Sequence, residues 1–432
     1  MQIFSTQAIK NRQLRITNIL SQSMKAGELL LVFCGDPIQK PGGWDQNYYF
    51  IPHPLYFWLS GVRRPSGVMT FSVDQGWTHF QKPYSDAEKI WDGITEEITG
   101  QDRGLLESKL KSFDKIYVLG QPSAHDLKLA KNNKSEDESR LNIQIELERR
   151  IKDSEEVALI EKAAHIASLG YKKFRATLKP GLTERDLQVE YEAEIARHGS
   201  HKNPYETLIG SGVNAAILHA SPTLKKITKD EVVLIDAGVD LYDYCVDITR
   251  VFPAGEKFSS QGQMLYDVVQ KAHAAGIENS KAGTDWHAVH ALTAKIIAEG
   301  LKTFGVLKCD ADTALESEAI ALFYPHGVGH LVGLRVRDTG SPENLSPKKY
   351  CGAYLRVDLK LQENFTLTVE PGCYFIPALL NNSEKRAKFK DLINWSELEK
   401  WIPVGGVRIE DDILIQKAGS PRVLTQAVGY LK

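Results

Sequence analysis

Over residues 1–145, short apolar runs alternate with turn residues. The runs 27–35 (GELLLVFCG), 58–62 (WLSGV), 67–73 (GVMTFSV) and 115–120 (KIYVLG) predict strands, each punctuated by Gly, Pro or Asp. Between Ala124 and Arg140 the text turns polar, as in a surface helix end or a loop, and closes this region. From Asp153 the period changes. Residues 153–178 carry apolar positions at helical spacing, with Asp153 or Ser154 placed to cap the first turn and Glu155 and Glu156 where the helix dipole favours negative charge. Lys179-Pro180-Gly181 stops this helix, and Thr183-Glu184 opens another that runs through His198. The layout of glycine turn and amphipathic helix then recurs: 179–199 (KPGLTERDLQVEYEAEIARHG) echoes 281–300 (KAGTDWHAVHALTAKIIAEG). Strand-like text follows each, which points to two related halves within one α/β domain.

Of the 432 residues, 42% are hydrophobic, which excludes a disordered chain and leaves ample material for a large core. Charge nearly cancels, with 53 Lys+Arg against 55 Asp+Glu and a net −2. The electrostatic footprint of a nucleic-acid binder is therefore missing, as is any strong attraction to an anionic membrane surface. The longest unbroken apolar run, Leu29 to Cys34, is far short of the ~20 residues that span a bilayer. The opening MQIFSTQAIKNRQLRI lacks the apolar stretch of a signal peptide. Five scattered cysteines (Cys34, Cys245, Cys309, Cys351 and Cys373) with no C-x-x-C suggest neither a disulfide framework nor a thiolate zinc site. A cytoplasmic protein is expected.

Candidate chemistry lies in four acids. The run 231–239 (EVVLIDAGV) is apolar inside except for Asp236, and 242–252 (YDYCVDITRVF) alternates and carries Asp247. Asp240-Leu241-Tyr242 is compatible with a turn, so the two predict an antiparallel hairpin that sets Asp236 beside Asp247. Farther on, 365–372 (FTLTVEPG) places Glu370 at a strand end, and 405–415 (GGVRIEDDILI) places Glu410 in the middle of another apolar strand. A buried carboxylate is costly unless paired or metal-bound. A single such acid is ordinarily ion-paired or in a turn; four in separate core-like strands need a shared counter-charge. Between them, 325–334 (PHGVGHLVGL) holds His326 and His330 in a Gly-rich setting that permits close approach. An oxygen-rich set with one imidazole suits a hard to borderline divalent ion, Mn2+ more than a thiolate-bound Zn2+. Two such ions about 3.5–4 Å apart make a bridging hydroxide a nucleophile at neutral pH and polarise a carbonyl.

In sequence order, the motifs LIDAG, DITR, PHGVGH, TVEPG and GGVRIEDD resemble those of the pita-bread metallopeptidases that cleave Xaa-Pro bonds, alongside methionine aminopeptidase and creatinase. Residues 47–62 (NYYFIPHPLYFWLSGV) are similar to the small N-terminal domain of prolidases and aminopeptidase P. The resemblance implies an α/β (α+β) chain, with a creatinase/prolidase-type N-terminal domain over 1–150 and a pita-bread catalytic domain of two related halves over 151–432. It implies two divalent ions, Mn2+ first with Zn2+ or Co2+ also able to occupy such sites. Their ligands would be Asp236, Asp247, His330, Glu370 and Glu410, with Asp247 and Glu410 bridging. Glu370 would also be the general base and His326 would stabilise the tetrahedral intermediate. His219 and Tyr205 would meet substrate, Arg408 would stand beside the metal carboxylates, and Thr249 near the second ion. A small peptide substrate and a homodimer are implied as well.

Within that family, the intervals from His330 to Glu370 and from Glu370 to Glu410 are both 40 residues, long as in prolidases. Arg356 stands 14 residues before Glu370, where prolidases place the arginine that holds the dipeptide carboxylate; a guanidinium grips a carboxylate bidentately. The expectation is hydrolysis of Xaa-Pro dipeptides by a metal-bridging hydroxide. The alternatives are an Xaa-Pro aminopeptidase acting on longer peptides and a non-catalytic relative that uses the fold for binding. One position departs from the family: seven residues after His330, where a substrate-contacting histidine is usual, GLRVRD places Arg337. Arg335 and Arg337, two apart on an expected strand, would share the cleft face. Arg337 would then be a fixed cation at the substrate, or else turn away to pair with Asp338 or Asp358.

Overall fold

The run Leu29–Phe33 carries no polar residue because the strand it forms is covered on both faces. In the computed structural model, which describes residues 3–95, 97–130, 136–200, 202–340 and 348–430, the chain divides into two units, Met1–Arg149 and Arg150–Lys432.

The first unit is built on a five-stranded sheet of β1 (Glu28–Phe33), β2 (Val68–Ser72), β3 (Gly76–Gln81), β4 (Gln101–Asp102) and β5 (Lys115–Gly120), in the order β4-β3-β2-β1-β5. β1 runs antiparallel to β2 and parallel to β5. Helix α1 spans Thr6–Ser23 and is capped by the Ser5 hydroxyl. The stretch 58–62, expected as a strand, is instead the end of helix α2, Pro54–Ser60. Pro54 sits at the first helical turn, where no N–H is lost, and Gly61 ends the helix in the left-handed region at φ 69°. Leu55 through Leu59 are all buried, so the helix shows no polar face and its period vanishes from the text. The polar stretch after Ala124 is α3 (Ala124–Leu129) and the start of α4 (Glu136–Arg149); residues 131–135 lie outside the described ones.

The second unit opens with α5 (Ser154–Thr177), whose N-cap is Asp153, and α6 (Glu184–Arg197), capped by Thr183. Strands β6 (Leu208–Ser211), β7 (Val232–Asp236), β8 (Val239–Leu241), β9 (Tyr244–Val246) and β10 (Thr249–Pro253) follow. β7 lies between β10 and β6, antiparallel to both. The second helix pair is α7 (Ser260–Asn279) and α8 (Trp286–Thr303). It precedes β11 (Thr366–Val369), β12 (Gly372–Tyr374), β13 (Gly406–Arg408) and β14 (Asp411–Leu414). The layout of helix pair and strands thus occurs twice. Leu234, Val251, Val269, Ile297, Leu301, Phe375 and Val407 share one buried cluster, which ties strands of both halves to α7 and α8. A second cluster, with Val328, Leu331, Leu367, Val369 and Ile413, lies under the segment that carries His330 and Glu370. Among the described residues no helix is long and apolar enough to cross a membrane.

Candidate metal-binding active site

Asp236 ends β7, and Asp247 stands between β9 and β10. The hairpin joining them turns at Tyr242 and Asp243, both with positive φ (55° and 72°), the two-residue geometry that matches strand twist. Asp243 tolerates it because its carboxylate accepts from Lys202 Nζ at 2.7 Å and its N–H donates to Asp240 at 2.8 Å. Glu410, expected in mid-strand, sits at the break between β13 and β14 and meets Thr249 in an isolated bridge. This break frees its side chain from the alternation of a continuous strand.

His330 and Glu370 are brought together by backbone register. The extended segment 326–332 runs beside β11, with Glu370 N donating to Val328 O at 2.8 Å and Thr368 N to His330 O at 2.9 Å. The approach is close: a Cβ on Gly329 would lie 2.0 Å from Thr368 O. His330 Nδ1 lies 3.1 Å from the Leu331 carbonyl, which can only accept. The ring proton is therefore at Nδ1, and the lone pair at Nε2 is available to a metal. That Nε2 is 3.5 Å from Asp247 Oδ2 and 3.8 Å from Glu370 Oε1.

Asp247, His330 and Glu410 each offer a ligand atom within 4.8 Å of the others. Asp236 joins them through the Tyr205 hydroxyl, which lies 2.7 Å from Asp236 Oδ1 and 2.6 Å from Asp247 Oδ1. One phenolic proton cannot serve two carboxylates, so this pair is short of positive charge. The acidities agree: burial pushes Asp236 up to about 6 against the pull of Arg408. Burial likewise raises Glu370, and burial together with Asp247, Glu370 and Asp236 raises Glu410 well above the ordinary range. Asp247 resists its burial because His330 and Tyr205 hold it low. A crowd of buried carboxylates with one correctly oriented imidazole fits divalent cations.

A second chain of contacts flanks the acids. Arg408 donates from Nη2 to Asp236 at 2.6 Å, from Nε to Thr249 Oγ1 at 3.1 Å and from Nη1 to the Tyr374 hydroxyl at 2.9 Å. The Thr249 hydroxyl in turn donates to Glu410 at 2.7 Å. Tyr374 OH lies 2.8 Å from His326 Nε2, while His326 Nδ1 faces the Gly327 carbonyl at 2.9 Å. Nδ1 therefore carries the proton, and Nε2 accepts from the tyrosine. Burial and the nearby Arg408 bring the His326 imidazole down to about 3, so it is neutral. Tyr374 was not singled out from the sequence, where it reads as one more apolar strand residue; its place four residues after Glu370 was the available signal.

The acids, both histidines, Tyr205 and Arg408 line one cavity of about 380 Å³, within the range of small-ligand sites, and Thr249 and Tyr374 connect to it through Arg408. Leu208, Leu218 and Val336 add apolar wall, and Glu206 an acid that the sequence did not suggest. His219, Arg337 and Arg356 line it as well. Arg356 Nη1 lies 3.9 Å from Glu370 Oε1 with 41% of its side chain exposed. The segment holding Arg337 is not a strand: residues 333–337 form bends, with Gly333 N donating to Arg335 O and Asp338 N to Leu331 O. The expected shared face of Arg335 and Arg337 is lost with the strand, and Arg335 Nη1 donates to the Leu334 carbonyl. The suggested acids are engaged elsewhere, Asp338 with Lys152 at 3.0 Å and Asp358 with Tyr350 OH at 2.7 Å and His287 at 3.0 Å.

Residues 158–417 match the model of metallopeptidase family M24. A Sclerotinia sclerotiorum protein named a probable Xaa-Pro aminopeptidase is 34% identical over 396 residues, covering 88% of this chain and 72% of its own. A Saccharomyces cerevisiae protein named an uncharacterized peptidase is 30% identical over 430 residues, covering 95% and 80%. Among solved structures, Escherichia coli aminopeptidase P with the inhibitor Pro-Leu superposes with a TM-score of 0.79 at 24% identity, covering 99% of this chain and 96% of that one. Proline aminopeptidase P II from Yersinia pestis gives 0.80 at 24% identity, covering 99% and 98%. These last two carry the fold, the pita-bread architecture with an N-terminal domain. The chain belongs to metallopeptidase family M24, whose members use divalent metal ions.

Proposed function

We propose that the protein is a metal-dependent peptidase that hydrolyses the bond between a first residue and a following proline. The observation that carries this reading is the convergence of Asp247, His330 and Glu410, with Asp236 and Glu370, in one cavity that Arg408 and His326 also line, the two joined through the Tyr374 hydroxyl. The five acid and imidazole ligands would hold two divalent ions, Mn2+ being the proposed species, which supply Lewis acidity to polarise the peptide carbonyl and to acidify water. Glu370, raised by burial, is suited to take the proton of the attacking water and pass it to the leaving proline nitrogen. Arg408 keeps fixed positive charge at the cavity wall, where negative charge develops on the carbonyl oxygen. Leu208, Leu218 and Val336 give the pyrrolidine ring an apolar seat.

On peptide length, the names borne by relatives at 32–34% identity support an Xaa-Pro aminopeptidase, and that is the reading adopted. A second reading, the dipeptidase, rests on one observation: Arg356 stands at the cavity 3.9 Å from Glu370, in reach of a carboxylate one residue past the scissile bond. Metal-loaded protein assayed on Leu-Pro and Leu-Pro-Ala separates the two. Comparable kcat/KM on both, unchanged by Arg356→Ala, supports the aminopeptidase. A preference for Leu-Pro that Arg356→Ala erases, by roughly 30- to 1,000-fold for a lost charge-assisted bidentate contact, establishes the dipeptidase. Hydrolysis of neither overturns the assignment.

A further inference from the structure

Residues 333–340 carry Arg337 to the cavity on irregular backbone, and irregular backbone needs external ties to hold a side chain in place. Two buried cations from one short segment supply them. Lys152, its side chain with no exposure, places Nζ 3.0 Å from Asp338 Oδ2, itself 2% exposed. Arg150, also buried, donates from Nη2 to the Gly340 carbonyl. The Lys152 N–H donates to Asn364 O at 2.9 Å, which fixes the segment two residues before the start of β11. The loop is fitted to the lysine: a Cβ on Gly333 would stand 2.6 Å from Lys152 Cε and 2.7 Å from Asp338 Oδ2. Asp338 is thus held from below, and its chain neighbour Arg337 is exposed toward the cavity. His219, Arg337 and Arg356 line the same cavity, and the two guanidiniums add to the burial that lowers the pKa of the His219 imidazole.

We propose that Lys152, through its buried ion pair with Asp338, is a positioning residue that holds Arg337 in the cleft as a second guanidinium, beside Arg356, for a substrate carboxylate. This rests on the second reading above, the dipeptidase, in which Arg356 meets the substrate carboxylate. A buried ion pair contributes little net stability over an apolar pair of the same shape, and its attested use is to specify one arrangement. Here the arrangement specified is the exit of residue 337 into the cavity. A guanidinium carries charge at every relevant pH and offers a planar fork to a carboxylate, whereas its freedom on a loose loop would be lost on each binding event.

The experiment compares Leu-Pro with Leu-prolinamide, which lacks the carboxylate, in metal-loaded wild type, Arg337→Met, Lys152→Met and the neutral pair Lys152→Met/Asp338→Asn. Arg337→Met is expected to raise KM for Leu-Pro by about tenfold or more, the scale of one charge-assisted contact, with little change for the amide. Both Lys152 variants should raise KM for Leu-Pro in the same direction with kcat largely kept, and should add nothing on top of Arg337→Met. The neutral pair guards against loss of folding in the single variant, where the buried Asp338 loses its 3.0 Å ion-pair partner. Hydrogen exchange read by mass spectrometry on peptides covering residues 331–340 should quicken in both Lys152 variants. Equal effects on acid and amide, additivity with Arg337→Met, or unchanged exchange each overturn the proposal. If wild type cleaves neither substrate, the Xaa-Pro reading fails, and the exchange measurement still decides whether Lys152 holds the loop.

Discussion

Tyr374 works through a single oxygen that accepts from Arg408 Nη1 and donates to His326 Nε2. Removing that oxygen leaves the ring in place and strands two buried polar groups, each costing about 1–3 kcal/mol when unsatisfied. Tyr374→Phe should therefore keep its metal and its KM and lose kcat by roughly 10- to 100-fold, which steady-state kinetics with metal analysis will read. Full turnover in the variant would remove the Arg408–Tyr374–His326 chain from the reaction. The four acids were legible in the sequence for the reason that Tyr374 was not. An ionised carboxylate in apolar text violates the cost of burial and marks itself, whereas a tyrosine in the text EPGCYF satisfies every rule for a buried strand. Lys152 and Asp338 were hidden differently: each looks like ordinary surface charge, and only the 3.0 Å contact between residues 186 positions apart reveals the pair.

The segment 326–332 shows how a local element makes a distant one functional. It contains two glycines and two histidines and has no regular period, yet its ladder with β11 fixes the distance between His330 and Glu370. Gly329→Ala would drive a methyl group to 2.0 Å from Thr368 O, a backbone atom that cannot yield without moving His330. Overpacking of this kind costs about 1–3 kcal/mol and occasionally more. The variant should melt at lower temperature and, at matched folded fraction, bind Mn2+ more weakly, as calorimetric titration measures; unaltered affinity would show that the ladder does not set the ligand geometry. The long helices were readable because capping residues and a one-sided apolar face survive in the text, as at Asp153 and Thr183. Helix α2 was not, since burial on all sides erases the face, and the break at Glu410 was not, since two short strands end to end read as one.

At the scale of the whole molecule, each of the two units has its own core, so a change of charge in one is felt there first. Metal binding should stabilise the second unit by RT ln(1 + [L]/Kd), about 2.7 kcal/mol at a hundredfold excess over Kd, because it relieves the crowding of Asp236, Glu370 and Glu410. Chelation should lower the transition of that unit in scanning calorimetry and leave that of the first unit in place; a joint shift would contradict independent cores. Acid should act on both. Burial lowers His79 in the first unit and His290 in the second to about 4, from an ordinary value near 6.5. Folded chains keep these rings neutral down to about pH 4, while unfolded chains protonate them below about 6.5. Between those values the unfolded state binds more protons, so stability is complete above pH 6.5 and falls as the pH drops toward 4. The buried Nδ1 of His290 has no partner among the described residues, so a proton arriving there would be an unpaired buried charge. Melting followed from pH 7 to 4.5 should show both transitions declining, with His79→Gln flattening the first and His290→Gln the second. A slope that neither substitution alters would place the acid sensitivity in other groups.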